Sequence, residues 1–381
     1  MRNILLIFLL ASFAFSFSFA QRTEKVNGYT FTIKHEAKRL PVESQDRSST
    51  CWSFSGVSFL ESELMRDGTE VPDLSEMFIV RNTYADKAIR YVRMHGTINF
   101  SGGGAFHDVI HVLGKHGIMP EDAYPGKLVD AKKHLHGEMD AILQGMVDAV
   151  IKNRNKKLSP RWHDAFTAAL EAYLGETPET FEYKGKTYTP QQFAKSLGLD
   201  ADNYVELSSF THHPDYGRFV LEVPDNWMHG EVYNLPLDEM VSSVNAALKD
   251  GYTVAWASDV SEDGFSYKNG LAILPDPAAL TSEAGEQVAF DSPTPQLTVT
   301  AELRQEGFDD FSTQDDHGMH IVGLATDQNG DNYYLVKNSW GDSNSCGGYL
   351  YVSEAYFKLK TTCVMVNKNA IPKKTRKALG L

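Results

Sequence analysis

The sequence predicts an α+β fold. Its first third carries apolar residues at helical spacing, its last third reads mainly as strands of an antiparallel sheet, and a mostly helical stretch lies between them. The 381 residues, 42% hydrophobic and 23% charged, suffice for one large domain or two to three average ones. Acidic residues outnumber basic ones 50 to 36 and are spread along the chain, which speaks against nucleic acid as a partner. Three cysteines are too few for a disulfide scaffold.

Taken in order, the chain opens with Met1-Arg2-Asn3, an apolar run from Ile4 to Phe15, and small residues at Ser18 and Ala20. That is the pattern of a cleavable secretory signal, residues 1–20, cut near Ala20; the apolar run is shorter than the roughly 20 residues that span a bilayer. The expected product is secreted or periplasmic, with no membrane partner after cleavage. Residues 21–44 read as an extended arm, with Tyr29, Phe31 and Ile33 alternating with polar neighbours. Helical spacing begins at Cys51 and continues through Phe54, Val57, Leu60 and Leu64; further helices follow Leu74-Ser75-Glu76 and Gly102-Gly103-Gly104. From 127 to 236 the texture is that of a mostly helical insertion, and from 237 to 368 a helix over Met240 to Leu248 leads into strands. These are placed at Tyr252 to Trp256, Gln296 to Thr300, Gly318 to Ala325, Tyr333 to Lys337, Gly348 to Val352 and Cys363 to Val366. Residues 369–381 form a basic tail.

The chemistry concentrates at a few positions. A cysteine in the first turn of a helix, as Cys51 is, sits where free backbone N–H groups and the helix dipole favour a thiolate. Alone, such a cysteine reads first as a buried small hydrophobe. Gln45, six residues earlier, can return a side-chain N–H to the same place, half of an oxyanion hole whose other half is the Cys51 N–H. His317 starts one strand and Asn338 ends the next, 338 − 317 = 21 residues on. In a hairpin of that length the amide can orient the imidazole, and Trp340 can shield their bond from water.

In these residues the chain resembles the papain-like cysteine peptidases. Gln45, Cys51-Trp52, His317 and Asn338-Ser339-Trp340-Gly341 stand in the family's order, and Leu74-Ser75-Glu76 and Gly103-Gly104-Ala105-Phe106 match two further landmarks, the second lining the substrate cleft. The resemblance implies a papain-like fold: a helical subdomain (21–126) carrying the nucleophile and an antiparallel β subdomain (237–368) carrying His317 and Asn338, interrupted by the insertion at 127–236. It implies no cofactor or metal, peptide substrates, and a homo-oligomer. Related enzymes separate cysteine and histidine by roughly 130 to 150 residues, whereas here 317 − 51 = 266. That excess, with the 30 residues from Gln21 to Thr50 leaving no room for a long inhibitory pro-segment, points to the bleomycin hydrolase and aminopeptidase C branch. In that branch the C-terminus enters the cleft and offers its carboxylate to the substrate's α-amine, a role that would fall to Leu381. Here the tail is shorter than is usual for the branch. A cysteine endopeptidase with an open cleft and a peptide-binding homologue without activity remain as alternatives.

Other signals carry less weight. His107 and His111 imitate a zinc-protease pair but enclose Asp108, not glutamate, next to His107. His212-His213-Pro214 reads as a loop, and Asp327 to Asp331 as a turn without the closing glutamate of a calcium loop. Cys346 and Cys363 are either one bridge or two free thiols.

Overall fold

In the computed structural model, residues 22–127, 132–154, 157–279 and 290–381 are described; the secretory signal expected at 1–20 lies outside them. The arm is a hairpin, β1 (Thr23–Val26) and β2 (Tyr29–Glu36), turning at Asn27, which has a positive φ of 52°. The helical subdomain follows as α1 (Cys51–Arg66), α2 (Glu76–Arg93) and α3 (Phe106–His116). Ser75 caps α2 by accepting the Phe78 N–H at 3.0 Å and donates to the Tyr124 carbonyl, which pins the helix start to the segment leading into the insertion.

The insertion holds α4 (Gly137–Ile151), α5 (Arg161–Leu174), the hairpin β3 (Phe181–Tyr183) and β4 (Lys186–Tyr188), and α6 (Pro190–Leu197). It then adds what its helical texture hid: β5 (Tyr204–Ser208), β6 (Arg218–Val220) and β7 (Glu231–Asn234). The β subdomain comprises α7 (Leu237–Lys249), β8 (Val254–Ser258), β9 (Phe265–Ser266), β10 (Leu271–Ala272), α8 (Ala301–Asp309), β11 (His317–Thr326), β12 (Asn332–Lys337), β13 (Tyr349–Ser353), α9 (Glu354–Lys360) and β14 (Thr361–Asn367). The tail is not loose: α10 (Lys373–Ala378) follows Pro372. Where a strand was expected at Gln296 to Thr300 there is an isolated bridge, Pro275 to Gln296, and Thr300 caps α8 through its hydroxyl.

One sheet runs β6-β7-β5-β14-β8-β11-β12-β13-β10-β9, with β1 and β2 added on β11. It is antiparallel except at β5–β7 and β10–β13. The insertion is therefore stitched into the sheet through β5 on β14. Two cores result. The first gathers Phe59, Leu60, Ile79 and Val109 with Leu143 and Phe166 of the insertion; the second lies around Trp256, with Val244, Ile321, Val336 and Phe357 on the sheet and its helices. Each such side chain contributes about 1.5–3 kcal/mol by leaving water. The strand carrying His317 passes against the helix that starts at Cys51: a Cβ on Gly318 would meet the Trp52 Cα at 3.2 Å.

The insertion also braces the loop before Cys51. Arg47 donates its N–H to the His134 carbonyl at 3.0 Å, the His136 N–H returns to Arg47 at 3.2 Å, and His134 N–H binds the Asp46 carboxylate at 3.0 Å. Burial lowers both His134 and His136 to about 4, and neither ring nitrogen of His136 has a hydrogen-bond partner among the described residues. An unfolded chain takes up a proton on each near pH 6.5, so the stability that these rings hold above pH 6.5 is lost as pH falls towards 4. His136→Gln removes one such site. Between pH 6.5 and 4 the variant's Tm should fall by about 3 °C less than the wild-type value; parallel curves would refute this account of His136.

Candidate active site

Of the residues singled out in the sequence, Gln45, Cys51, Gly103, Gly104, His317 and Trp340 line one cavity of about 730 Å³, together with Trp52, Gly102, Ala105, Phe106 and Gly318, and with Leu221, Val223 and Asp225 of the insertion. Cys51 is the first residue of α1, where its backbone N–H is free of intrahelical bonds. Burial pushes its thiol up to about 12; backbone hydrogen bonds from Gly318 and Trp52 oppose the shift, and the charges of Asp315 and Asp225 add to it. The sulfur is thus cradled by N–H groups at the edge of the cavity, to which the residue is partly exposed.

His317 begins β11 and is buried against Trp340, with ring centroids 4.5 Å apart and planes tilted by 35°. Its Nε2 faces the Asn338 Oδ1 at 2.7 Å. Asn338 Oδ1 also accepts the Ser339 N–H at 2.7 Å, which identifies that atom as oxygen and makes His317 Nε2 the donor. Nδ1 is left as the basic nitrogen. Burial holds the imidazole down at about 4, while the bond to Asn338 favours its proton.

Gln45 is buried and doubly held by Ser339: its backbone N–H binds the Ser339 carbonyl at 2.8 Å, and its Oε1 accepts from Ser339 Oγ at 2.6 Å. With the oxygen so occupied, the amide nitrogen is the end free to donate. Gly103 and Gly104 form a wall that admits no side chains. A Cβ on Gly104 would fall 2.8 Å from the Trp52 ring, whose Nε1 binds the Gly102 carbonyl at 3.0 Å.

Beneath Asn338 lies a buried polar group that the sequence did not announce. Lys337 Nζ donates to Ser58 Oγ at 2.8 Å, Ser58 reaches His320 Nδ1 at 3.0 Å, and Glu43, Glu61 and Glu76 surround the same small space. Burial raises Glu61 to about 8, with the Leu74 N–H and Lys337 opposing. His320 is wholly buried here and faces away from the thiol.

Four assignments need correction or completion. Leu381 does not line the cavity. Thr375 Oγ1 binds Glu239 of α7 at 2.6 Å and Leu379 packs with Leu237 and Met240, so the tail is docked on α7. Ile371, Thr375 and Leu379, four residues apart, are the buried positions of that contact. His107 and His111 serve different carboxylates, Glu206 at 2.9 Å and Asp86 at 3.1 Å, and do not converge. His212 and His213 gather with Glu222, their ligand atoms within 4.8 Å of one another, but His212 spends Nδ1 on Gln305 and Nε2 on Glu222. Cys346 and Cys363 are free thiols.

The geometry is that of a thiol peptidase, and comparison with known proteins agrees. The sequence model of the Peptidase C1-like family matches residues 74–380. The chain belongs to this family. Aminopeptidase G of Lactobacillus delbrueckii subsp. lactis is 24% identical, over 95% of this chain and 89% of that protein. Aminopeptidase C of Listeria monocytogenes is 24% identical (91% and 85% covered), and bleomycin hydrolase of Mus musculus 23% identical (92% and 86%). Among solved structures, PepW of Lactobacillus rhamnosis superposes with a TM-score of 0.70 at 19% identity, covering 92% of this chain and 84% of that one, a likeness of fold. This peptidase therefore falls in the branch of aminopeptidase C and bleomycin hydrolase, with a papain-like α+β fold.

Proposed function

We propose that the protein is an exported cysteine aminopeptidase that removes N-terminal residues from peptides through a thioester on Cys51. The observation that carries the catalytic reading is the 2.7 Å contact between His317 Nε2 and Asn338 Oδ1, which leaves Nδ1 as the base in the cavity that Cys51 lines. As the thiol proton passes to Nδ1, sulfur attacks the substrate carbonyl, and the oxyanion is held by the Cys51 N–H and the Gln45 amide. The imidazolium returns its proton to the departing amine, leaving a thioester. The neutral imidazole then deprotonates a water that attacks the thioester, the acyl group leaves as a carboxylic acid, and the freed thiolate recovers the proton from the imidazolium. Names shared by the relatives support the aminopeptidase reading.

An epoxide-type thiol-protease inhibitor should label Cys51, and a peptide with a free N-terminus should be trimmed while its N-acetylated twin is spared. Internal cleavage of the acetylated peptide at an equal rate would favour the endopeptidase alternative. Loss of the oxyanion donor in Gln45→Ala should lower kcat by about 10²- to 10³-fold; Ser339→Ala, which only releases the Gln45 carbonyl oxygen, should cost less. An unchanged kcat in Gln45→Ala would remove Gln45 from the oxyanion hole. Export after removal of residues 1–20, and assembly into a homo-oligomer, belong to the same proposal; the N-terminus and native mass of the mature protein test them.

A further inference from the structure

If the enzyme is an aminopeptidase, something other than Leu381 must recognise the substrate's ammonium, since the tail is docked on α7. Five aspartates line the cavity: Asp46, Asp140, Asp225, Asp315 and Asp316. Asp46 and Asp316 have both oxygens engaged, Asp46 by Ser44 Oγ and the His134 N–H, Asp316 by the Val260 and Ser261 N–H groups. Asp140 is bound by the Tyr84 hydroxyl at 2.5 Å. Asp225 and Asp315 differ, for they are the two carboxylates whose charge is felt at the Cys51 thiol, and the charge of Asp225 is felt at Asp315.

Asp225 is held in place by its surroundings. Asn99 Nδ2 donates to its Oδ1 at 2.6 Å, Trp227 two residues on donates its indole N–H to Asp108 at 2.8 Å, and Asn226 ties the loop to itself through the carbonyls of Leu221 and Gly230. The other oxygen, Oδ2, accepts no hydrogen bond from the described residues and lies over Gly103, where a Cβ would come within 1.9 Å of it. Asp315 makes no hydrogen bond of its own among the described residues, and burial with the charges of Asp225 and Asp316 raises it to about 7. His317, itself 5% exposed, lines the same cavity, and its Nδ1 makes no hydrogen bond among the described residues. A substrate carbonyl at Cys51 carries its α-nitrogen about 2.5 Å from the reacting carbon, so the ammonium must come to rest within this pocket.

We infer that Asp225, with Asp315, is the binding site for the α-ammonium group of the substrate, and that the insertion loop 221–230 closes the cleft beyond it. The loop thereby takes both parts assigned to a C-terminal carboxylate: it supplies the counter-charge, and it fills the space above Gly103 through which a longer N-terminal extension would have to run. Two carboxylates that repel one another while empty are relieved by a cation between them, so the site favours an ammonium over a neutral amide.

This inference rests on the aminopeptidase reading, and the experiment separates the two. Leucyl-aminomethylcoumarin and its N-acetyl twin are compared as substrates for the wild type, for Asp225→Asn and for a chain ending at Leu379. An unchanged Tm shows that each protein is assembled. The wild type should prefer the free amine. Asp225→Asn should cut that preference in kcat/KM by about 10- to 100-fold, chiefly through KM, and the shortened chain should keep it. An undiminished preference in Asp225→Asn, or its loss in the shortened chain alone, overturns the ammonium site and leaves the aminopeptidase standing. A wild type that cleaves both substrates equally overturns both.

Discussion

Exchange of Cys51 for alanine is expected to abolish peptide cleavage, with kcat lowered by about a million-fold, while the protein stays folded. The chemical step needs a nucleophile that forms and then releases an acyl group, and no neighbour can replace it. Cys363 also lines the cavity but sits within β14, where burial holds its thiol well above the ordinary range. Cys346 lies in the loop before β13. Structurally the exchange is mild. The side-chain oxygen of Thr50 makes no capping bond, the helix start owes nothing to the sulfur, and alanine is the better helix former. The residue is only partly buried and its side chain is small, so the exchange leaves no large cavity. A variant with unchanged Tm, no labelling by an epoxide inhibitor and no turnover is the expected result; activity within tenfold of the wild type would remove Cys51 from the mechanism.

The positions of Cys51, His317 and Asn338 were legible in the sequence because each is tied to local structure. A helix start, a strand start and a strand end are written in periodicity and spacing, and a hairpin of 21 residues fixes which side chains face each other. The helices over 51–66, 76–93 and 106–116 carry continuous apolar faces and were equally plain. Asp225 was not, because its importance comes from where a loop is carried. Nothing around Leu221 to Gly230 signals that β6 and β7 join the main sheet through β5 and bring that loop over Gly103. Short strands inside a helical stretch, such as the three residues of β6, give too few positions for alternation to register. Leu381 failed for a different reason. Its role came from resemblance alone, while the residues of the tail carried an amphipathic pattern whose partner, α7, only the fold identifies. Leu297 and Val299 alternate as in a strand, yet Thr300 stops that segment by capping α8.

Removal of the imidazole in His317→Ala should lower kcat/KM by about 10⁴-fold or more. The thiol depends on it: burial pushes Cys51 up to about 12, so without a base it stays protonated at neutral pH. His320 cannot take over. It lies three residues along β11, wholly buried, with Nδ1 on Ser58 and Lys337 beside it, and its burial disfavours any proton. A purely structural role for His317 would leave the intrinsic reactivity of Cys51 intact, so the deciding measurement is alkylation by a small neutral reagent across pH. In the wild type the imidazole, held at about 4, remains a base down to that pH. Its presence should sustain thiol reactivity through the mildly acidic range and let it fail as pH drops through 4. In His317→Ala the reaction should instead rise only in strongly alkaline solution, following the isolated thiol. Asn338→Ala stands between the two. It deletes the bond that favours the imidazolium, so the acid limb should move to lower pH while turnover falls as the ring loses its orientation. Superimposable alkylation profiles for wild type and His317→Ala would show that the thiol is activated by something other than this histidine.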